Sequence, residues 1–213
     1  MQVFVDDRLV EDDFAPAGTL EDALRHVQSQ RCRPSTMVVG LRCNGEAIVG
    51  DALASALRQP ASSYDRLEVF TGTREQLVAD AMAQASTSLD ETETASRRVA
   101  EFLIEGKIAD ATQTLGDCLR VWQQIHEAVG KSLQLLALDA ERILIQDEPL
   151  IHAIGRPKDV LLQIKHALQA QDYVLLADVL QYEFADVIDT WHRIVARLRQ
   201  EADDIHAAAG GAT

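Results

Sequence analysis

The hydrophobic pattern of this chain changes period once, near Gly72. Before that point, short runs alternate apolar and polar residues around one helical segment, the signature of half-buried strands. After it, apolar residues recur at steps of three and four nearly to the end, a spacing that places them on one face of a helix. A single switch of this kind predicts an α+β chain in two parts. Residues 1–72 form a small mixed domain, residues 73–206 an all-α antiparallel bundle of about four helices, and 207–213 a flexible tail. The length of 213 residues and the hydrophobic content of 47% suffice for packed cores in both parts.

In the first part, residues 2–5 alternate as a strand, Asp6-Asp7 turns the chain, and Arg8-Leu9-Val10 returns. Thr19 with Asp22 three residues on is a near relative of the capping box, and Leu20, Leu24 and Val27 give the helix it opens one buried stripe. Arg33-Pro34-Ser35 breaks that helix. The strongest strand covers 37–43, and Asn44-Gly45 follows it, a hairpin turn whose two residues both tolerate positive φ. Ala47-Ile48-Val49 returns, 53–57 reads as a short helix, and 66–71 is a final strand with Leu67 and Val69 on one face.

The order is strand, strand, helix, strand, strand, strand. With Met1-Gln2-Val3, Gly18-Thr19-Leu20, Cys43-Asn44-Gly45-Glu46 and the run from Tyr64 to Val69, it resembles the β-grasp fold of ubiquitin and, more closely, the thiamine-pathway sulfur carriers. That resemblance covers about a third of the chain. Such carriers end in a free Gly-Gly whose carboxylate is activated. Here the corresponding strand ends Phe70-Thr71-Gly72-Thr73 and the chain continues. Gly210-Gly211 is followed by Ala212-Thr213 and reads as part of a flexible tail.

In the second part, 74–86 reads as a linker helix. Ser88 followed by Glu91 is a second capping-box pattern, opening a bundle helix from about 89 that Gly106 terminates. The next helix spans 107–138, with an apolar stripe that includes Leu115, Trp122, Ile125 and Val129. Residues 139–156 read as a connection with a short helical turn, and Pro157 suits the first turn of a helix that ends near 170. Asp172 caps the last helix, 172–206. Its stripe of Leu176, Leu180, Phe184, Val187, Trp191, Ile194 and Leu198 steps 4, 4, 3, 4, 3, 4. The segments around Gly106 and Gln171 lead into their helices by a similar pattern, which predicts similar hairpin geometry. Glu105-Gly106-Lys107 and the run from Asp172 to Trp191 resemble the small bundles of bacterial secretion chaperones, the flagellin export chaperone among them. The whole arrangement is similar to bacterial proteins that join a β-grasp head to a helical tail, a resemblance that implies no activity.

The net charge of −14 is shared by both parts, and no basic stripe interrupts it, which disfavours nucleic acid and anionic membrane as partners. The 20 basic residues are 16 arginines and 4 lysines, and no lysine precedes Lys107. No apolar run approaches the roughly 20 residues of a membrane span. The start carries no secretion-signal pattern, and Cys32, Cys43 and Cys118 form no metal or disulfide pattern, which together predict reduced thiols in a cytoplasmic protein.

Motifs for chemistry are sparse. Asp189/His192 and Asp203/His206 have i, i+3 spacing, but both lie on one helix, 14 residues and so about 21 Å apart, too far to share a metal. No nucleophile motif and no phosphate loop appears. The chain therefore predicts no enzyme, no cofactor and no metal. Trp122 and Trp191 read as core anchors. The alternative places Trp191, with Tyr182 and Phe184, at a groove for a partner helix, Tyr182 lying off the main stripe. The leading expectation is a non-enzymatic, cytoplasmic protein-binding adaptor or chaperone-like protein, its most concrete form a secretion- or flagellum-related one. A sulfur-carrier-like accessory lacking the Gly-Gly terminus, and a structural homodimer formed by self-association, stay open beside it.

Overall fold

In the computed structural model, which describes residues 1–10, 18–31, 36–49 and 51–210, the period-two runs pair into one mixed sheet. Its strands are β1 (Gln2–Val5), β2 (Arg8–Val10), β3 (Thr36–Cys43), β4 (Glu46–Ala47) and β5 (Arg66–Thr73), in the order β2-β1-β5-β3-β4. β1 runs parallel to β5, and the other pairings are antiparallel. Helices α1 (Leu20–Arg31) and α2 (Asp51–Leu57) complete this unit. The chain is α+β, and its two compact units divide between Leu77 and Val78.

Alternation decides which side of the sheet is core. Val3, Leu67 and Val69 are buried with Leu20 and Val27 of α1. On the other parity, Arg66 lies over the Phe4 ring at 4.1 Å and Arg42 over Phe70 at 5.3 Å, so cationic side chains cover the aromatic residues of that face. Val38 and Leu41 are three residues apart and would face opposite sides of a regular strand, yet both pack on the core. A register shift between Val38 and Gly40 restores the parity by inserting Val39 as an extra residue.

Each turn rests on a named side chain. Asn44 and Gly45 take φ of 51° and 85°, as the hairpin signal requires. The Asn44 Oδ1 also accepts from the backbone N–H of Asp65 and of Arg66, both at 3.0 Å. Asp6, at φ 48°, accepts from the N–H of Thr71 at 2.8 Å and from its hydroxyl at 2.6 Å, tying the first turn to the last strand. The capping box forms reciprocally: the Thr19 N–H donates to Asp22 and the Asp22 N–H to the Thr19 hydroxyl. These bonds hold the Asp22 carboxyl below its ordinary pKa, the Thr19 backbone N–H being the main cause. The Arg33-Pro34-Ser35 break and Cys32 fall outside the described residues.

The second unit is helical. It contains most of α3 (Arg74–Ile104), then α4 (Ile108–Leu135), α5 (Leu150–Gly155), α6 (Pro157–Ala170), α7 (Tyr173–Asp178) and α8 (Phe184–Gly210). The break expected between 86 and 89 is absent: α3 is a single helix of 31 residues. Ser88 caps nothing. Its carbonyl accepts the Thr92 hydroxyl at 2.7 Å, and the Ser96 hydroxyl donates to the Glu93 carbonyl at 3.1 Å. These back-bonds satisfy Thr92 and Ser96, both buried, at the two stripe positions where the apolar pattern lapses.

The expected connection at 139–156 contains a two-residue hairpin, β6 (Leu144–Ile145) and β7 (Glu148–Pro149), before the short helix α5. Ile143 and Ile145 are buried while Leu144 is exposed, a strand period in a segment otherwise bounded by helices. The last helix is also interrupted. Residues Val179–Glu183 form a π-helical turn between α7 and α8. Two successive four-residue steps overshoot an α-helical turn by about 40° each, and a wider turn absorbs that drift. Leu176, Leu180 and Phe184 therefore all reach the core. The final helix runs through Gly210, beyond the expected end at 206, and Gly211 lies outside the described residues.

Three helix ends share one closure. Gly106 (φ 74°), Ala137 (φ 52°) and Gln171 (φ 55°) each take the left-handed conformation. The next N–H then reaches back across the last turn: Lys107 to Phe102 at 2.8 Å, Leu138 to Leu133 at 2.9 Å, and Asp172 to Ala167 at 2.9 Å. The similarity read between the Gly106 and Gln171 segments is this shared cap. It also ends α4 at Leu135, short of the expected 138.

Candidate partner groove

The aromatic residues of the second unit form one cluster. The rings of Trp122 and Trp191 lie 4.9 Å apart, Trp122 and Phe184 5.3 Å apart, and His126 stacks on Trp191 at 5.4 Å. Trp191 and Phe184 are fully buried and Tyr182 is 62% exposed. The expected contact surface of Tyr182, Phe184 and Trp191 is thus not a surface: two of the three are core, because the π-turn directs Phe184 inward with the Leu176 stripe. Tyr182 stands alone outside it. Among the described residues the buried Trp191 indole N–H has no acceptor, a loss of about 1–3 kcal/mol that its ring packing offsets.

Beside this cluster the second unit has an open apolar groove of about 610 Å³. Trp122 and His126 of α4 line it, with Ile151 and Ile154 of α5 and Leu161 and Leu162 of α6. Ile151 and Leu162 are 47% and 41% exposed, large aliphatic side chains left facing water. Lys158 and Lys165, also lining residues, complete a face of α6 with Leu161 and Leu162 at helical spacing. Among the described residues, no carboxylate lines the groove. Apart from Trp122, the sequence analysis singles out none of these residues; in the structure the core stripe of α6 is Val160, Ile164 and Ala167. The adjacent pair Leu161-Leu162, which widens the apolar face beyond that stripe, is the signal that marks the groove.

Among the described residues, no group of three His, Cys, Asp or Glu side chains is placed to hold a metal ion. His192 faces Asp90 of α3 at 3.5 Å, a contact between helices. Cys43 and Cys118 are free and buried, and burial raises both thiols, Cys118 to about 11, so neither is a ready nucleophile. Gly72, where a sulfur carrier would end, is paired with Met37 within the sheet. A Cβ there would stand 3.3 Å from the Val39 side chain, so the glycine makes room for the bulge. No described helix is long and apolar enough to cross a membrane.

Fold and site together define an α+β protein whose helical unit carries a partly basic apolar groove. The chain belongs to the family described as a domain of unknown function (DUF8042), whose model matches residues 80–194 and so contains every residue that lines the groove. No curated protein and no solved structure matches it.

Proposed function

We propose that this chain is a non-enzymatic protein-binding adaptor or chaperone-like protein whose helical unit holds an amphipathic segment of a partner between α4, α5 and α6. The observation that carries the reading is the groove itself: exposed Ile151 and Leu162 flank an open apolar trough with no carboxylate among the described residues of its lining. Helix-in-groove recognition needs such a surface, because burial of apolar anchors drives it. The strand order of the first unit supports reading it as a β-grasp head, a second docking surface. Free buried thiols fit residence in the cytoplasm. A secretion- or flagellum-related role is the most concrete form of this proposal.

Leu162→Asp, compared with Leu144→Asp as an exposed control outside the groove, tests it. Protein partners recovered with the full chain from its native host are expected to be lost with the first variant and retained with the second. Equal recovery with both would remove the groove from the function.

A further inference from the structure

We infer that the groove is built for an acidic amphipathic helix, one that presents two carboxylates two turns apart to Lys158 and Lys165. This rests on reading the groove as a partner site and specifies the partner's chemistry. The chain has a net charge of −14 and only four lysines. Lys107 is paired with Glu105 at 2.7 Å and Lys131 with Glu127 at 3.5 Å. Among the described residues, Lys158 and Lys165 have no ion-pair partner, and both line the groove. Two unpaired ammonium groups thus stand on an apolar lip of a strongly acidic protein, where an acidic partner meets attraction and a second acidic surface elsewhere meets repulsion.

The spacing selects the kind of partner. Seven helical residues separate the two lysines by about 10 Å along α6, the rise between side chains at i and i+7 of a facing helix. A fatty acid or other single-headed amphiphile would meet one lysine and leave the other bare. Leu161 and Leu162 lie between the two cations in sequence, so a helix with apolar residues between its two acids matches the lip. Seating it would exclude water around the pairs and strengthen them beyond ordinary surface ion pairs.

The test uses the full chain and three leucine-striped helical peptides of about 16 residues, identical except for Glu, Gln or Lys at two positions seven apart. Binding is followed by peptide anisotropy and by tryptophan emission, since Trp122 lines the groove. The Glu peptide is expected to bind about five- to tenfold more tightly than the Gln peptide, with the Lys peptide weakest and the differences shrinking as salt is added. The double variant Lys158→Glu/Lys165→Glu should reverse the order and rescue the Lys peptide, which also shows that the variant is folded. Equal affinity for Glu and Gln peptides overturns the acidic partner while leaving the groove reading intact. Binding of dodecanoate but of none of the peptides overturns both.

Discussion

The two units are stabilised in different ways. In the first, side chains from turns reach across the sequence to the backbone: Asn44 to Asp65 and Arg66, and Asp6 to Thr71. In the second, most described side-chain hydrogen bonds stay within one helix, as Thr92 to Ser88 and Thr190 to Asp186 do. Its long-range contacts are mainly packing among residues such as Leu115, Trp122, Phe184 and Trp191, with a few polar links such as His192 to Asp90. The difference follows from geometry. A helix satisfies its own backbone and needs only an apolar stripe, whereas a small sheet needs its register and turns specified. An apolar groove arises readily in the helical unit, since a stripe wider than its neighbours can cover leaves apolar surface open.

The sharpest way to break this comparison is to remove the packing anchor of the helical unit. Trp191→Ala should cost about 3–5 kcal/mol in denaturant unfolding, read by the emission of the remaining tryptophan. A loss below about 1 kcal/mol would show that the aromatic cluster is not the main anchor. Next in size is a turn of the sheet. Asn44→Ala removes two hydrogen bonds and replaces a residue that tolerates positive φ with one that does so less readily, a change expected to cost about 1–2 kcal/mol. Asn44→Gly relieves the backbone and should recover part of it. Amide exchange of β3 and β5 reports the effect.

Smaller still are the helix ends. Ala137→Gly and Gln171→Gly should each stabilise by about 0.5–1 kcal/mol, because glycine meets no Cβ penalty at positive φ, while Gly106→Ala should destabilise by a similar amount. Thermal unfolding of the three variants gives the signs. Thr92→Val should change stability by less than about 1 kcal/mol, since the lost hydroxyl is bonded only within its own helix; a larger cost would make α3 depend on a partner outside it. The smallest effect is acid sensitivity of the first capping box. Because the folded Asp22 pKa is lowered, its contribution is complete above the ordinary carboxylate range and is lost as pH falls through the lowered value. Protection of the α1 amides, taken relative to their intrinsic exchange at each pH, should fall over that interval, and Thr19→Ala should flatten the dependence.

Much of the fold was legible because local rules decide it. The Asn44-Gly45 turn, the Thr19 cap and the Gly106 helix end all depend on residues adjacent in sequence. The candidate site was not legible in the same way. Phe184 and Trp191 fit the core stripe and, as the alternative, a partner surface, and packing against Trp122 places them inside. The groove draws on three helices, and no local pattern reports which lysine lacks a carboxylate. Ala137 and Gln171 carry no signal for a left-handed turn, because the surrounding helices impose it.

By itself, the sequence determined the two-part α+β layout, since hydrophobic period selects strand or helix before any long-range contact forms. It also determined the acidic charge and the scarcity of lysine. Tertiary structure decided the continuity of α3, where buried hydroxyls bond backward and do not cap, and the π-turn that brings Leu180 and Phe184 into one core. It also decided the groove, because an apolar residue stays exposed only when no neighbouring element reaches it, and that depends on how α4, α5 and α6 pack.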